Sequence, residues 1–125
     1  MILLLDAHAL LWFLSASPEL DPGASAAIAD PANDVLVSAA TVWEIAVKHA
    51  AGRLDAPEDL VATMARVGLS GLPFTGDDAE QAVWLPMHHR DPFDRMLIAQ
   101  AVRLDAVIAS RDRVFEAYDV NVLRT

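Results

Sequence analysis

The chain has 125 residues, of which 18 are acidic and 9 are basic, so its formal net charge is −9 at pH 7. This balance argues against a basic coat for unspecific nucleic-acid binding, and the absence of cysteine excludes disulfides and thiolate metal sites. The length predicts one domain spanning residues 1–125. Without a secretory signal or an apolar run of about 18 residues, we expect a cytoplasmic protein with no membrane contact. Hydrophobic residues make up 54%, which is high for a short soluble chain, so part of the apolar surface is expected to face a protein partner.

Short apolar runs alternate with helical periodicity along the chain. The first run, Ile2–Leu5, lacks polar alternation, which is typical of a strand buried on both faces. Further strands are predicted at Val35–Val37, Ala106–Ala109 and Val120–Leu123, and Gly71–Phe74 is predicted to be an edge strand because it contains proline. Between them we predict helices after the first strand, at residues 24–29, 41–51, 57–67, 79–85 and 92–104, and a short one ending near residue 118. This alternation predicts an α/β domain with a mainly parallel sheet of about four or five strands.

Four carboxylates lie where predicted strands end and the following helices begin. Asp6 and Asp112 come just after two of the strands, and Glu44 and Asp94 lie in the first turns of two helices. In a parallel sheet these positions share one edge, so the four acids are expected to converge. Closely spaced carboxylates repel one another unless a cation holds them. An all-oxygen ligand set favours Mg²⁺ or Mn²⁺ over Zn²⁺.

Each of these acids also has a simpler interpretation. Asp6 and Asp112 can be helix N-caps, because Asp is a preferred residue at that position. Glu44 can serve only as the partner of Lys48, one helical turn further along the chain. Asp94 can be a first-turn acid stabilised by the helix dipole. At this level both interpretations remain open for all four residues.

The histidines and tryptophans carry weaker signals. His8 is as compatible with helix packing as with a place in the cleft, whereas His49 is predicted to be a core or interface residue. The pair His88–His89 has no second ligand pair at metal spacing, which predicts an ordinary loop. Asp91 is predicted to cap the helix that follows it. The three tryptophans lie at helical spacing among aliphatic residues and are predicted to pack in the core or at an interface.

Four segments, in order along nearly the whole chain, give it a family likeness. The segments are Leu3-Leu4-Leu5-Asp6-Ala7-His8-Ala9-Leu10-Leu11-Trp12, Val37-Ser38-Ala39-Ala40-Thr41-Val42-Trp43-Glu44-Ile45-Ala46-Val47-Lys48, His89-Arg90-Asp91-Pro92-Phe93-Asp94-Arg95-Met96-Leu97-Ile98-Ala99-Gln100-Ala101 and Ile108-Ala109-Ser110-Arg111-Asp112. In these segments the chain resembles the PIN-domain ribonucleases, and specifically the VapC-type toxins of toxin–antitoxin pairs.

The resemblance implies a three-layer α/β/α PIN-like domain and a Mg²⁺-dependent endoribonuclease that cleaves RNA. The family's acidic residues map onto the four carboxylates already identified, Asp6, Glu44, Asp94 and Asp112, with Asp6 and Asp94 expected to be the main metal ligands. Its Ser or Thr two residues before the last acid maps onto Ser110.

The chain departs from the family pattern at the residue after Asp6. The family often has a hydroxyl residue after the first Asp, and here it is Ala7. His8 or Ser110 is expected to compensate for the missing hydroxyl, or else the ribonuclease activity is expected to be modest.

Two arginines lie close to the predicted acids in the sequence. Arg95 and Arg111 are near enough in sequence to contact RNA phosphate, although surface or ion-pair roles fit equally well.

The resemblance also implies partners. It predicts a homodimer and a small cognate antitoxin whose apolar helix lies in a groove, with a cationic side chain reaching the acidic cleft. Two other interpretations remain. One is a PIN-like binding module without catalysis. The other is a phosphoacceptor or phosphatase domain, which fits poorly because the segment after the first strand is Asp6-Ala7-His8 and the only lysine is Lys48.

Overall fold

The computed structural model describes all 125 residues. Strands and helices alternate as the sequence predicts. In chain order the elements are β1 (Ile2–Leu5), α1 (Ala7–Leu14), α2 (Pro22–Ala29), β2 (Asp34–Ser38), α3 (Ala39–Ala50), α4 (Leu60–Arg66), β3 (Ser70–Leu72), α5 (Gly76–Trp84), α6 (Pro92–Leu104), β4 (Val107–Ser110), a 3₁₀ helix (Arg113–Ala117) and β5 (Asn121–Arg124).

The five strands form one sheet in the order β3-β2-β1-β4-β5, and every neighbouring pair is parallel. This confirms the predicted α/β class. β3, which ends just before Pro73, lies at an edge of the sheet as predicted. Proline cannot donate a ladder hydrogen bond and is therefore confined to edges of sheets. The central strand β1 has β2 on one side and β4 on the other, so the chain order reverses there. In open parallel sheets such a reversal leaves a crevice beyond the carboxyl ends of the strands.

The sheet separates two apolar cores, which explains the three layers. Alternate residues of β1 point to opposite faces, so Leu3 and Leu5 belong to one core and Leu4 to the other. Helices α1 to α4 cover the first face, where Leu10 and Ile45 are fully buried. On the second face α6 and the 3₁₀ helix supply buried residues, and α5 packs against α6. Because both faces of the sheet are covered, its three inner strands β1, β2 and β4 each carry an apolar run without alternation.

The ends of several helices differ from the prediction because capping residues extend them. Ser38 accepts a hydrogen bond from the N–H of Ala40, so α3 starts two residues before the predicted position. Thr75 and Asp78 form a reciprocal capping box that starts α5 at Gly76. The predicted helix end at Gly52 is confirmed, since this residue has the left-handed φ of +71° that favours glycine after a helix.

Two of the three tryptophans do not pack in the core, so only the interface half of the core-or-interface expectation stays a prediction for them. Trp43 on α3 is 64% exposed and Trp84 at the end of α5 is 81% exposed. Their helices bury other faces, and helical spacing alone does not say which face meets the sheet. None of the helices has both the length and the apolar character that a bilayer crossing requires.

Candidate active site

An open cleft of about 440 Å³ lies at the carboxyl edge of the sheet. All four predicted acids line it, so the structure brings together residues from the end of β1, from α3 and α6, and from the segment after β4. Its lining residues are Asp6, Ala7, His8, Trp12, Glu44, Lys48, Asp91, Asp94, Arg111, Asp112 and Phe115. Five carboxylates therefore face two permanently cationic side chains.

Asp6 has two functions in this structure, because it is both a helix cap and a wall of the cleft. One carboxylate oxygen accepts a hydrogen bond from the N–H of Ala9 at 2.8 Å, which caps α1. The other accepts one from the Ser110 hydroxyl at 2.5 Å. Burial raises the pKa of the Asp6 carboxyl above its usual value, although both hydrogen bonds act in the opposite direction. The capping and cleft interpretations are thus compatible.

Glu44 and Asp112 also have the simpler partners that the sequence suggested. Glu44 accepts a hydrogen bond from Lys48 at 2.7 Å, in an i,i+4 ion pair on α3. Asp112 caps the 3₁₀ helix by accepting from the N–H of Val114 at 3.0 Å. In each case this leaves one carboxylate oxygen without a hydrogen-bond partner in the protein.

Asp94 lies in the first turn of α6 and is held by a residue that sequence reasoning missed. Its Oδ2 atom is 2.7 Å from Nε2 of His89. Burial raises the pKa of Asp94 to about 6, while the hydrogen bond from His89 opposes this shift. Its Oδ1 atom accepts no hydrogen bond from the protein. The predicted loop at His88–His89 is confirmed, but the sequence did not indicate that His89 reaches Asp94 from this loop.

The tightest group of potential metal ligands is His89, Asp91 and Asp94, whose ligand atoms all lie within 4.8 Å of one another. No three of the four predicted acids are as close as this. Asp91 is confirmed as the cap of α6, since it accepts hydrogen bonds from the N–H groups of Phe93 and Asp94 at 2.9 and 3.3 Å. The sequence signal for His89 was its place just before a capped helix whose first turn carries an acid.

The donor set fits a hard divalent cation. Four of the five carboxylates in the cleft keep an oxygen without a protein partner, namely Glu44, Asp91, Asp94 and Asp112. Burial disfavours the ionised forms of Asp6 and Asp94, so positive charge between them would lower the cost of keeping both charged. Carboxylate oxygens are the ligands that Mg²⁺ and Mn²⁺ prefer.

Sequence comparison identifies the family. The sequence model of the PIN domain matches residues 3–121. The chain belongs to the PIN domain family. No curated protein is detectably similar to it in sequence.

Solved structures share the fold of this PIN domain. VapBC2 from Rickettsia felis, solved with a DNA fragment from its promoter, superimposes with a TM-score of 0.73 at 12% identity, covering 99% of this chain and 98% of the other. FitAcB from Neisseria gonorrhoeae gives 0.65 at 22% identity, with 99% and 97% covered. VapBC-5 from Mycobacterium tuberculosis gives 0.63 at 22% identity, with 99% and 98% covered. At these identities the likeness establishes the fold.

Arg95 corrects one expectation from the sequence. Its side chain does not line the acidic cleft, and the residue is only 7% exposed. The guanidinium donates to the carbonyl oxygens of Ala82, Leu85 and Pro86 at 2.8 to 3.0 Å. It therefore binds the end of α5 and the loop after it, and it is not available to an RNA phosphate. Helical geometry explains this, because adjacent residues of α6 face different directions.

Planar side chains form one wall of the cleft in this PIN domain. The imidazole of His8 lies 5.4 Å from the ring of Trp12, and the Arg111 guanidinium lies 4.3 Å above that ring. Arg111 also donates to the carbonyl oxygens of Glu19 and Thr125. His8 is exposed at the cleft and Arg111 is fixed in place, while Ser110 is fully buried behind Asp6.

Proposed function

We propose that this PIN domain is a divalent-cation-dependent endoribonuclease that hydrolyses RNA phosphodiester bonds in the cytoplasm, with Mg²⁺ or Mn²⁺ as its cofactor. The observation that carries the proposal is the meeting of Asp6, Glu44, Asp94 and Asp112 in one cleft. Membership of the PIN family supports it, because PIN domains are generally nucleases. That membership gives no support to the phosphoacceptor or phosphatase interpretation.

In this proposal Asp6 and Asp94 hold the cation, and Glu44 and Asp112 complete the site directly or through water. Bound there, the cation would lower the pKa of a water and neutralise charge on the scissile phosphate. The Ser110 hydroxyl holds the Asp6 carboxylate in place from behind, at 2.5 Å. Such preorganised groups need no rearrangement when charge develops in the reaction.

The two permanently cationic side chains of the cleft meet the negative charge of the substrate. Lys48 is held by Glu44, and Arg111 is held flat against Trp12. An otherwise acidic cleft would repel RNA, so the cation and these two side chains together supply the attraction. Trp12 and His8 offer planar surfaces next to them, which suits unpaired nucleotides.

The residue after Asp6 is Ala7, and no hydroxyl is present there. Ser110 supplies one on the other side of the same carboxylate. We therefore assign to Ser110 the support of Asp6 and retain His8 as a candidate contact for substrate. A binding module that has lost catalysis is the second candidate, and Ala7 is the observation in its favour.

We also propose that the protein is the toxin of a toxin–antitoxin pair. The structural neighbours VapBC2 and VapBC-5 belong to such systems, and a further neighbour from Klebsiella pneumoniae is a toxin–antitoxin complex. A groove of about 590 Å³, lined mainly by α1 and residues 54–57, adjoins the acidic cleft through His8 and Trp12. An apolar antitoxin helix in this groove would bring a cationic side chain within reach of the acids.

Exposed apolar side chains outside that groove are suited to contact with a second copy of the chain. Three of them lie at the end of α5 and in the loop after it, namely Val83, Trp84 and Met87, each more than half exposed. A homodimer would cover part of this surface, since patches of this kind mark protein contacts.

The decisive experiment is cleavage of a labelled RNA with and without Mg²⁺ or Mn²⁺. Asp6→Asn is expected to abolish cation-dependent cleavage, because the amide cannot bind the ion as a carboxylate does. Asp21→Asn is the matched control, since Asp21 caps α2 in the same way but does not line the cleft. Cleavage by the Asp6 variant at the wild-type rate would refute the assignment of cleavage to a cation held by Asp6. Cation binding without cleavage by the wild-type chain would favour the binding module.

A further inference from the structure

The loop between α5 and α6, residues 85–91, is held by one side chain from α6 and one from the segment after the 3₁₀ helix. The Arg95 guanidinium donates to the carbonyl oxygens of Leu85 at 3.0 Å, Pro86 at 3.0 Å and His89 at 3.2 Å. The same group donates to Ala82 at 2.8 Å, so one buried side chain joins the end of α5 to most of the loop. A planar guanidinium with five donors is suited to such a role, and lysine could not replace it.

Tyr118, just after the 3₁₀ helix, supplies the second set of interactions. Its hydroxyl donates to the carbonyl oxygen of Pro86 at 2.8 Å and accepts from the N–H of His89 at 3.0 Å. Arg95 also approaches this hydroxyl, at 3.4 Å. Tyr118 is only 8% exposed, so these bonds are shielded from water. Both main-chain polar groups of His89 are therefore fixed.

A fixed backbone places the His89 ring against the acid of α6. The ring Nε2 atom lies 2.7 Å from Asp94 Oδ2, and the His89 and Asp94 side chains are 27% and 22% exposed. At 2.7 Å the two atoms are at hydrogen-bond distance, and an ionised carboxylate can only accept, so Nε2–H is the donor to ionised Asp94. Asp94 Oδ1 remains free.

We propose that His89 is a positioning residue that orients the Asp94 carboxylate, so that its free oxygen faces the cation, and that Arg95 and Tyr118 hold His89 in place. The proposal rests on the cation site of the proposed function. Hydrogen bonds to a ligand's remaining atoms typically change metal affinity 10- to 100-fold. His89 thus connects the buried hydrogen bonds of Arg95 and Tyr118 to Asp94, which lines the cleft.

The test is a calorimetric titration of the RNA-free protein with Mn²⁺ alone. His89→Ala is expected to raise the Kd about 10- to 100-fold. His89→Gln is expected to stay near the wild-type value, because its amide can donate the same hydrogen bond. His88→Ala is the matched control, since the neighbouring histidine is exposed, packs edge-on against Tyr118 and binds no acid. Circular dichroism at the titration temperature checks that each variant is folded.

Several outcomes would overturn the inference. One is an unchanged Kd in His89→Ala, and another is an equal loss of affinity in His89→Gln and His89→Ala. A directly bound nitrogen in the electron spin-echo spectrum of the Mn²⁺ complex, lost in His89→Ala, would make His89 a ligand and end its assignment as a positioning residue. If the wild-type chain itself binds no Mn²⁺, the proposed cation site fails and the inference fails with it.

Discussion

Ser110 Oγ lies 2.5 Å from Asp6 Oδ2, although the two residues are 104 positions apart in the sequence. The same hydroxyl accepts a hydrogen bond from the N–H of Asp112 at 3.0 Å. One fully buried hydroxyl therefore connects two acids of the cleft, at the ends of the paired strands β1 and β4. This contact orients the Asp6 carboxylate, while the pairing of β1 with β4 brings the two residues to the same edge of the sheet.

Ser110→Ala should therefore weaken both the fold and the cation site. The N–H of Asp112 would lose its acceptor and Asp6 its donor, which is expected to lower the free energy of unfolding by about 1–3 kcal/mol. Loss of that donor also favours protonated Asp6, so the Kd for Mn²⁺ should rise. Urea unfolding and calorimetric titration measure the two effects. Ser15→Ala, which removes an exposed hydroxyl on α1, is the control and should change neither.

The raised pKa of Asp94 predicts opposite effects of rising pH on the stability of the cation-free protein and on its affinity for Mn²⁺. Burial raises its pKa to about 6 in the folded chain, against about 3.9 when unfolded. Because the folded state binds this proton more tightly, the resulting stability is complete below about pH 4 and is lost as the pH rises to about 6. Mn²⁺ competes with the proton, so its affinity should increase across the same interval.

Urea unfolding in EDTA between pH 4 and pH 8, compared with Asp94→Asn, measures this effect. The variant should lose the part of the pH dependence that falls between the two pKa values. A wild-type curve that overlays the variant over this interval would mean that Asp94 titrates normally. A Kd for Mn²⁺ that does not change with pH would contradict the role of Asp94 as a ligand.

Arg95→Lys should destabilise the protein without directly affecting RNA binding. The lysine has three donors in place of the planar fork, so buried carbonyl oxygens after α5 would lose their partners. We expect the free energy of unfolding to fall by about 2–4 kcal/mol. Arg90→Lys, at an exposed position, should have little effect on stability. A variant of normal stability with weakened RNA binding would instead restore the RNA contact predicted from the sequence.

A further prediction concerns the contribution of Asp78, on α5, to the stability of the fold. Its side chain is 1% exposed and accepts hydrogen bonds from Arg103 at 2.6 and 3.1 Å. Burial alone would raise the pKa of Asp78, but the bonds from Arg103 and Thr75 outweigh it and hold the pKa below its usual value. The resulting stability is present above the unfolded pKa of about 3.9 and is lost as the pH falls through the lower folded value.

Asp78→Asn is therefore expected to lower the free energy of unfolding by about 2–3 kcal/mol near neutral pH, because Arg103 would face a neutral partner and the capping box would be weakened. Asp77→Asn is the matched variant, since Asp77 is exposed in the same first turn. Equal thermal midpoints for the two variants would show that the Arg103 pair contributes little.

The strands and the positions of the acids were predictable because they depend on local patterns. The apolar run Ile2–Leu5 identified the buried strand β1, and parallel pairing placed Asp6 and Asp112 at one edge. The sequence offered a choice between cap and cleft for these residues. In the structure a helix cap at the end of a strand also lies in the crevice, so the two roles do not exclude each other.

What the sequence could not provide were the contacts of side chains with distant backbone. Arg95 is adjacent to Asp94, yet it points into the protein and binds carbonyl oxygens up to 13 residues away. His89 reaches Asp94 because that arginine and Tyr118 fix its loop. Hydrophobic periodicity carries no information about loop conformation. It also did not reveal that Trp84 is exposed, because helical spacing alone does not say which face of α5 is buried.

Acids that are distant in sequence meet in one cleft, where we propose that they bind a doubly charged cation. Crystals grown with Mn²⁺ and measured at an X-ray energy where manganese scatters anomalously test this most directly. The account predicts an anomalous peak in the cleft, in contact with carboxylate oxygens of both Asp6 and Asp94. A cleft that is empty at saturating Mn²⁺, or a peak bound elsewhere on the protein, would contradict it.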